Sequence, residues 1–161
     1  MPKVLVTYYS RSGNTRKMAE AIFEGARSEG VVAELRKIKE TTIDDLLAAD
    51  AFIMGSPTYF GVMAAPCKAL IDESVKYFKK MIGKVGGAFT SSGAIAGGNE
   101  TTIMSILEAW LIHGMVIPGV CTGNHYGPVA IGEPNENDLE ECKNYGCLVA
   151  QLTKKLHGSE K

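Results

Sequence analysis

The chain predicts a doubly wound α/β domain, with five parallel strands in the order 2-1-3-4-5 and helices on both faces. Three observations carry this reading. Short, nearly continuous apolar runs rich in β-branched residues alternate with helix-length segments, as in a sheet buried on both sides. Right-handed crossovers between such strands must distribute the helices over both faces. The turn after the first strand is built to receive a phosphate, which sets the point of strand-order reversal beside that strand.

Taken in chain order, Lys3–Tyr8 is the first strand, and Thr15–Ser28 is an amphipathic helix with Met18, Ile22 and Ala26 on one face. Val31–Leu35 is the second strand. Thr42 followed by Asp45 resembles a capping box opening a short second helix. Ala51–Gly55 is the third strand. Pro66 then sits in the first turn of a helix, Pro66–Ser74, where its missing N–H goes unused. Val85–Thr90 is the fourth strand. Ile103, Ile106, Leu107, Trp110 and Leu111 follow the i, i+3, i+4, i+7, i+8 rule of the next helix. Met115–Val120 reads as the fifth strand, and Gly123–Pro134, rich in Gly, Pro and Asn, as a long surface loop. Leu139, Cys142, Gly146, Val149, Leu152 and Leu156 mark a last helix, opened by the polar stretch Asn135–Asp138.

The 161 residues are expected to form a single domain, 1–161, large enough to bury a real core. A formal charge of −1 gives no electrostatic reason to expect nucleic acid or an anionic membrane as partner. No apolar run approaches a membrane span, and the start of the chain lacks the layout of a signal peptide. The four cysteines, Cys67, Cys121, Cys142 and Cys147, contain no C-x-x-C pair. That argues against a zinc or iron–sulfur site, so no metal is expected, and fits reduced thiols in a cytoplasmic protein.

In open α/β sheets a ligand sits beyond the carboxyl ends of the strands. Three unusual loops are expected to converge there. The first is Ser10-Arg11-Ser12-Gly13-Asn14-Thr15. The first N–H groups of a helix lack internal partners, and the helix dipole favours an anion there. Ser10, Ser12 and Thr15 add hydroxyls, Asn14 an amide, and Gly13 a tight curl, so a phosphate dianion could be held without a lysine. Arg11 has no core role; it is either solvated or leans over the anion. The second loop, Gly55 to Pro66, presents Tyr59 and Phe60 to flank a planar ring, with Gly61 allowing close backbone approach. The third, Thr90 to Glu100, supplies hydroxyls and exposed backbone donors suited to the edge of a polar heterocycle.

With these loops in place the chain resembles the flavodoxin-like flavoproteins, which bind FMN non-covalently. Ser10-Arg11-Ser12-Gly13-Asn14-Thr15 is similar to the flavodoxin phosphate pattern T/S-x-T/S-G-x-T. The remainder looks closer to the NAD(P)H:quinone oxidoreductases of the WrbA type. Gly55-Ser56-Pro57-Thr58-Tyr59-Phe60-Gly61, Ser91-Ser92-Gly93, Gly97-Gly98-Asn99-Glu100-Thr101-Thr102, His113-Gly114-Met115-Val116-Ile117 and Tyr126-Gly127 carry that likeness. The resemblance implies a flavodoxin-like fold with Ser10 to Thr15 on the FMN phosphate. It puts Pro57, Thr58, Tyr59, Phe60 and Gly61 along the isoalloxazine. Ser91, Ser92, Gly93, Ala94, Gly97 and Gly98 would meet its polar edge and ribityl chain. His113 would approach the flavin from the end of the fourth helix. NADH or NADPH is implied as co-substrate.

The chain departs from the WrbA-type pattern in three places. It runs from Thr41 to Asp50 without the family's insertion, lacks a tryptophan after the third helix, and has Tyr59 where an arginine is common. In that family the first two of these regions help build the oligomer and its quinone and nicotinamide pocket; a homo-oligomer is left open.

Flavin carries its own chemistry, and no residue is placed as nucleophile or general acid–base. Backbone donors from the second and third loops would stabilise negative charge developing on a reduced ring. His113 and Tyr59 are the candidates for modulating reduction of an acceptor. The expected function is therefore an FMN-dependent oxidoreductase passing electrons from NAD(P)H to a quinone or similar small acceptor. The alternative is a flavodoxin-type carrier serving protein redox partners. A receiver-like domain is discounted, because Tyr8-Tyr9-Ser10 and Gly55-Ser56-Pro57 stand where that class needs acidic residues.

Overall fold

The computed structural model describes residues 1–158. Five parallel strands form the main sheet in the order β2-β1-β3-β5-β6: β1 (Lys3–Tyr8), β2 (Val32–Lys37), β3 (Ala51–Tyr59), β5 (Val85–Ser92) and β6 (Val129–Ile131). A two-residue strand, β4 (Val62–Met63), folds back antiparallel on the end of β3. The helices are α1 (Asn14–Ser28), α2 (Ile43–Ala48), α3 (Ala65–Ser74), α4 (Asn99–Ile112) and α5 (Glu136–His157). This is the flavodoxin-like order expected from the sequence, with the parallel strands counted in turn.

Alternation along β1 and β3 divides the core into two layers. Val4, Val6 and Ile53 pack with Phe89 against Met18 and Ile22 of α1 and Cys142, Tyr145 and Val149 of α5. Leu5, Phe52 and Met54 face the opposite way, onto Leu46, Leu70, Ile103, Ile106 and Trp110 of α2, α3 and α4. Trp110 meets Phe52 edge-on at 5.1 Å, and its indole N–H donates to the Gly87 carbonyl at 3.1 Å, so its one polar atom is satisfied inside the core.

Parallel register brings the strand ends level. Tyr8 pairs with Gly55, and Gly55 with Phe89. Gly55 cannot be larger: a Cβ there would lie 2.0 Å from the Phe89 ring. The expected capping box opens α2, with Thr42 accepting from the Asp45 N–H and the Asp45 carboxylate from the Thr42 N–H. A second one, Asn135 with Asp138, opens α5.

Two expectations need correction. Met115–Val120 is not a continuous fifth strand; only Val116 bridges Val85, and the edge is completed by β6. Pro118 has no N–H to give a ladder, and Gly119 follows it, so pairing stops after one contact. The pairing resumes at Val129–Ile131, inside the stretch expected to be loop. Strands β3 and β5 also run further than expected, through Tyr59 and Ser92, because the second and third loops extend the ladder before turning.

α1 and α5 approach so closely that a Cβ at Gly146 would stand 2.0 Å from the Ile22 carbonyl oxygen, and one at Gly25 2.0 Å from that of Lys143. Backbone cannot yield as a side-chain tip can. Gly146→Ala should therefore destabilise the fold by about 1–3 kcal/mol. Chemical denaturation is expected to show a lower midpoint at unchanged slope.

Candidate functional site

Beyond the carboxyl ends of β1, β3, β5 and β6 lies an open groove of about 500 Å³, within the size range of cofactor sites. Its first wall is the turn after β1. The Gly13 N–H donates to Ser10 Oγ at 3.0 Å, and Gly13, at φ +100°, is the residue before α1. α1 has no side-chain cap and no acidic residue in its first turn. The N–H groups of Asn14, Thr15 and Arg16 are thus left without helical partners at the positive end of the dipole. Arg11, Ser12, Asn14 and Thr15 line the groove, whereas Ser10 and Gly13 border a separate cleft on the other flank of the turn. Thr15 is buried and its hydroxyl bonds to Ser91 Oγ at 2.9 Å, tying the first loop to the third.

The second wall is the β3–β4 hairpin. Thr58 pairs with Met63 and Tyr59 with Val62, leaving a two-residue turn with φ +52° at Phe60 and +79° at Gly61. Positive φ at both centres is the signature of a type I′ turn. Pro57, Thr58 and Tyr59 line the groove. Tyr59 meets Tyr9 edge-on at 6.4 Å, and the Thr58 and Thr90 hydroxyls are 2.9 Å apart. Phe60 does not face the groove as expected; it stands fully exposed at the tip of the turn. A hairpin alternates its side chains, so Tyr59 and Phe60 cannot both face inward.

The third wall begins inside β5. Ser91 and Ser92 are buried strand residues facing the groove with Gly93, while Ala94 and Gly97 belong to an exposed turn beyond it. Ser92 Oγ donates to the Ala94 carbonyl at 3.0 Å and accepts from Asn99 Nδ2. Gly98, at φ +102°, precedes α4, which also starts without a side-chain cap. A Cβ at Gly98 would lie 2.5 Å from Gly61 Cα, so the second and third loops touch backbone to backbone. The sequence reading missed Gly132, which closes the groove after β6 and donates its N–H to the Ser92 carbonyl at 2.7 Å. Its only signal was the short apolar triplet before it.

His113 is not part of this arrangement. It follows α4, whose first residue is at the rim, and a 14-residue helix spans roughly 20 Å. It therefore lies toward the opposite end of the sheet, where Gly114 accepts from the Gly83 N–H just before β5. Ser74 Oγ gives its proton to the Ile71 carbonyl at 2.6 Å, so His113 Nε2–H donates to Ser74 at 2.8 Å and buried Nδ1 is left unpartnered. The Ser74 hydroxyl gives the neutral ring its one hydrogen-bond partner here. Among the described residues no cluster of three or more His, Cys, Asp and Glu side chains could hold a metal ion, and no helix is long and apolar enough to cross a membrane.

The fold and groove define a flavodoxin-like α/β protein, and comparison with known proteins places it further. The NADPH-dependent FMN reductase family matches residues 40–126, and the chain belongs to that family. It is 41% identical over 160 residues to a flavodoxin of Aquifex aeolicus, covering 94% of this chain and 86% of that one. It is 33% identical over 190 residues to an NAD(P)H dehydrogenase (quinone) of Archaeoglobus fulgidus, covering 97% of this chain and all of the other (100%). The crystal structure of a WrbA-like flavodoxin from Agrobacterium tumefaciens superposes with a TM-score of 0.83 at 33% identity, over 97% of this chain and 99% of that one.

Burial holds the His113 imidazole below its ordinary value of 6.5. Protonation is then easier in the unfolded chain, so this contribution to stability is complete above about pH 6.5 and is lost as pH falls below it. The carboxylates held down by the Glu29–Lys154 and Glu34–Lys3 hydrogen bonds, and by the Thr42 N–H on Asp45, act in the same sense only below their ordinary values of 4.5 and 3.8. Thermal unfolding should shift to lower temperature between about pH 6.5 and 5, and His113→Gln should flatten that interval.

Proposed function

We propose that the groove holds FMN, with its phosphate on the turn from Ser10 to Thr15 and its ring system beside Tyr59, and that the chain moves electrons from NAD(P)H to a quinone or similar small acceptor. The observation that carries this is the start of α1. α2 and α5 are closed by capping boxes with acidic first turns, whereas α1 is opened by a left-handed glycine with its first donors unsatisfied. An anion is the partner such a helix end lacks. Family membership and the quinone dehydrogenase relative support the choice of flavin and of reaction.

Bound FMN would supply the redox chemistry, accepting a hydride from a reduced nicotinamide and passing electrons on. The protein's part is to bind and orient. Backbone donors at Asn14 to Arg16 and the Ser12 hydroxyl neutralise the phosphate, and Tyr59, braced by Tyr9, offers a flat apolar face. The Gly61–Gly98 contact fixes the second and third loops against each other, so their donors are set before a ring arrives.

The purified protein should be yellow or become so with added FMN. Ser12→Ala should weaken FMN about tenfold, the size of one hydrogen bond to a charged group, and leave riboflavin affinity unchanged. Fluorescence titration with both flavins checks this; equal losses would remove the phosphate assignment.

A second reading, a flavodoxin-type electron carrier, draws on the 41% identical flavodoxin relative. Anaerobic mixing with NADPH separates the two. Rapid bleaching of the flavin followed by reoxidation with a benzoquinone marks the enzyme, and a flavin that stays oxidised marks the carrier.

A further inference from the structure

At the end of α4 away from the groove, six large apolar side chains stand in solvent. Val75, Phe78, Ile82, Leu111, Ile112 and Val116 are each between 39% and 71% exposed. They form one face around the buried His113. Ser74, the residue before Val75, accepts from His113 Nε2–H at 2.8 Å. The Phe78 ring is tilted against the imidazole, with centroids 6.4 Å apart. Leu111 and Ile112 end α4 directly before His113. Ile82 lies so near Gly114 that a Cβ there would come 3.0 Å from Ile82 Cγ1. The Val116 N–H donates to the Lys84 carbonyl at 2.8 Å, which keeps Val116 beside the same turn. Together the six leave roughly 500 Å² of apolar surface bare, at the upper end of what a monomer ordinarily keeps.

The rim of this face carries charges of both signs. Lys76, Lys79 and Lys80 flank Phe78 in the chain; Glu73 lies one turn before Lys76, and Glu108 one turn before Leu111 and Ile112. All five are exposed, and none has an ion-pair partner among the described residues. An anionic bilayer or a strongly charged foreign partner calls for a rim of one sign. Unpaired lysines and glutamates around one apolar centre are matched instead by the same surface turned through a half-turn, because an isologous contact brings residue i to j and j to i. Size agrees with this. A stable interface takes about 800 Å² from each partner, a little over half of it apolar.

We infer that this face is the contact between two copies of the chain related by a two-fold axis, with the six apolar side chains at its centre and the lysines of each copy set against the glutamates of the other. The contact uses no residue of the groove and lies a helix length from it, so both grooves of the pair stay open. It therefore does not rest on the functional reading above.

The experiment is sedimentation velocity on the full chain over a range of concentrations, with and without added FMN. Wild type should run at twice the mass of one chain in both cases. Val75→Lys and Ile112→Lys each place a cation at the centre of the contact. These side chains are 66% and 71% exposed, and the end of a helix favours a cation, so the monomer loses little. In a two-fold contact each substitution enters twice, and either should weaken pairing about a hundredfold. Unchanged circular dichroism and unchanged flavin affinity separate lost pairing from lost folding. Glu73→Lys combined with Glu108→Lys makes the rim wholly positive and should weaken pairing about tenfold; pairing as tight as in wild type would overturn the matching of charges. A wild type that is monomeric at every concentration overturns the inference, as does a dimer undiminished in both apolar-to-lysine variants. Vesicles containing phosphatidylglycerol test the other occupant. A monomeric wild type that sediments with them, and more so with either added lysine, marks a membrane surface and overturns the two-copy contact. A chain that pairs as described yet takes up no flavin would refute the flavin reading and leave the contact standing.

Discussion

The parallel register of β1, β3 and β5 is the constraint on which the remainder of the molecule depends. Tyr8, Gly55 and Phe89 lie side by side across three strands, so the chain leaves all three at one height. Gly55 permits this because the Phe89 ring occupies the space of its missing side chain. A one-residue slip would turn Val4, Val6 and Ile53 away from α1 and α5 and expose one core to fill the other. The same slip would separate the Thr15 and Ser91 hydroxyls and dissolve the groove. Core packing and site geometry are therefore two consequences of one alignment.

The helix ends divide along the same line. α2 and α5 satisfy their first donors locally, through Thr42 with Asp45 and Asn135 with Asp138. α1 and α4 start at the rim, each after a glycine in the left-handed region, and neither has a side-chain cap. A side-chain oxygen in the cap position would compete with an incoming ligand for the same N–H groups. α3 also starts without a side-chain cap, but Pro66 in its first turn has no N–H to satisfy, whereas α1 and α4 have neither a cap nor a proline there.

Much of this was legible in the residues themselves. The near-continuous apolar runs gave β1, β3 and β5, the hydroxyl-rich turn gave the first wall, and the Thr42–Asp45 spacing gave the start of α2. The edge of the sheet was not legible. Met115–Val120 has the composition of a strand, but Pro118 withholds the donor that pairing needs, and three residues at Val129–Ile131 are too few to show a period. Phe60 and His113 misled for a related reason: residue type announces chemistry, while direction is fixed by the pleat and by helix length. Phe60 is turned out by hairpin alternation, and His113 is carried to the far end by α4.

The open start of α1 also ties folding to supply. An empty α1 terminus leaves three polar groups to water alone, and whatever occupies it adds its binding energy to the native state only. At a thousandfold excess over Kd that addition is about 4 kcal/mol, a large share of the stability of a domain this size. Starved of its anion, the same polypeptide opens more often and is the easier prey for proteases, so its abundance follows the availability of what it carries.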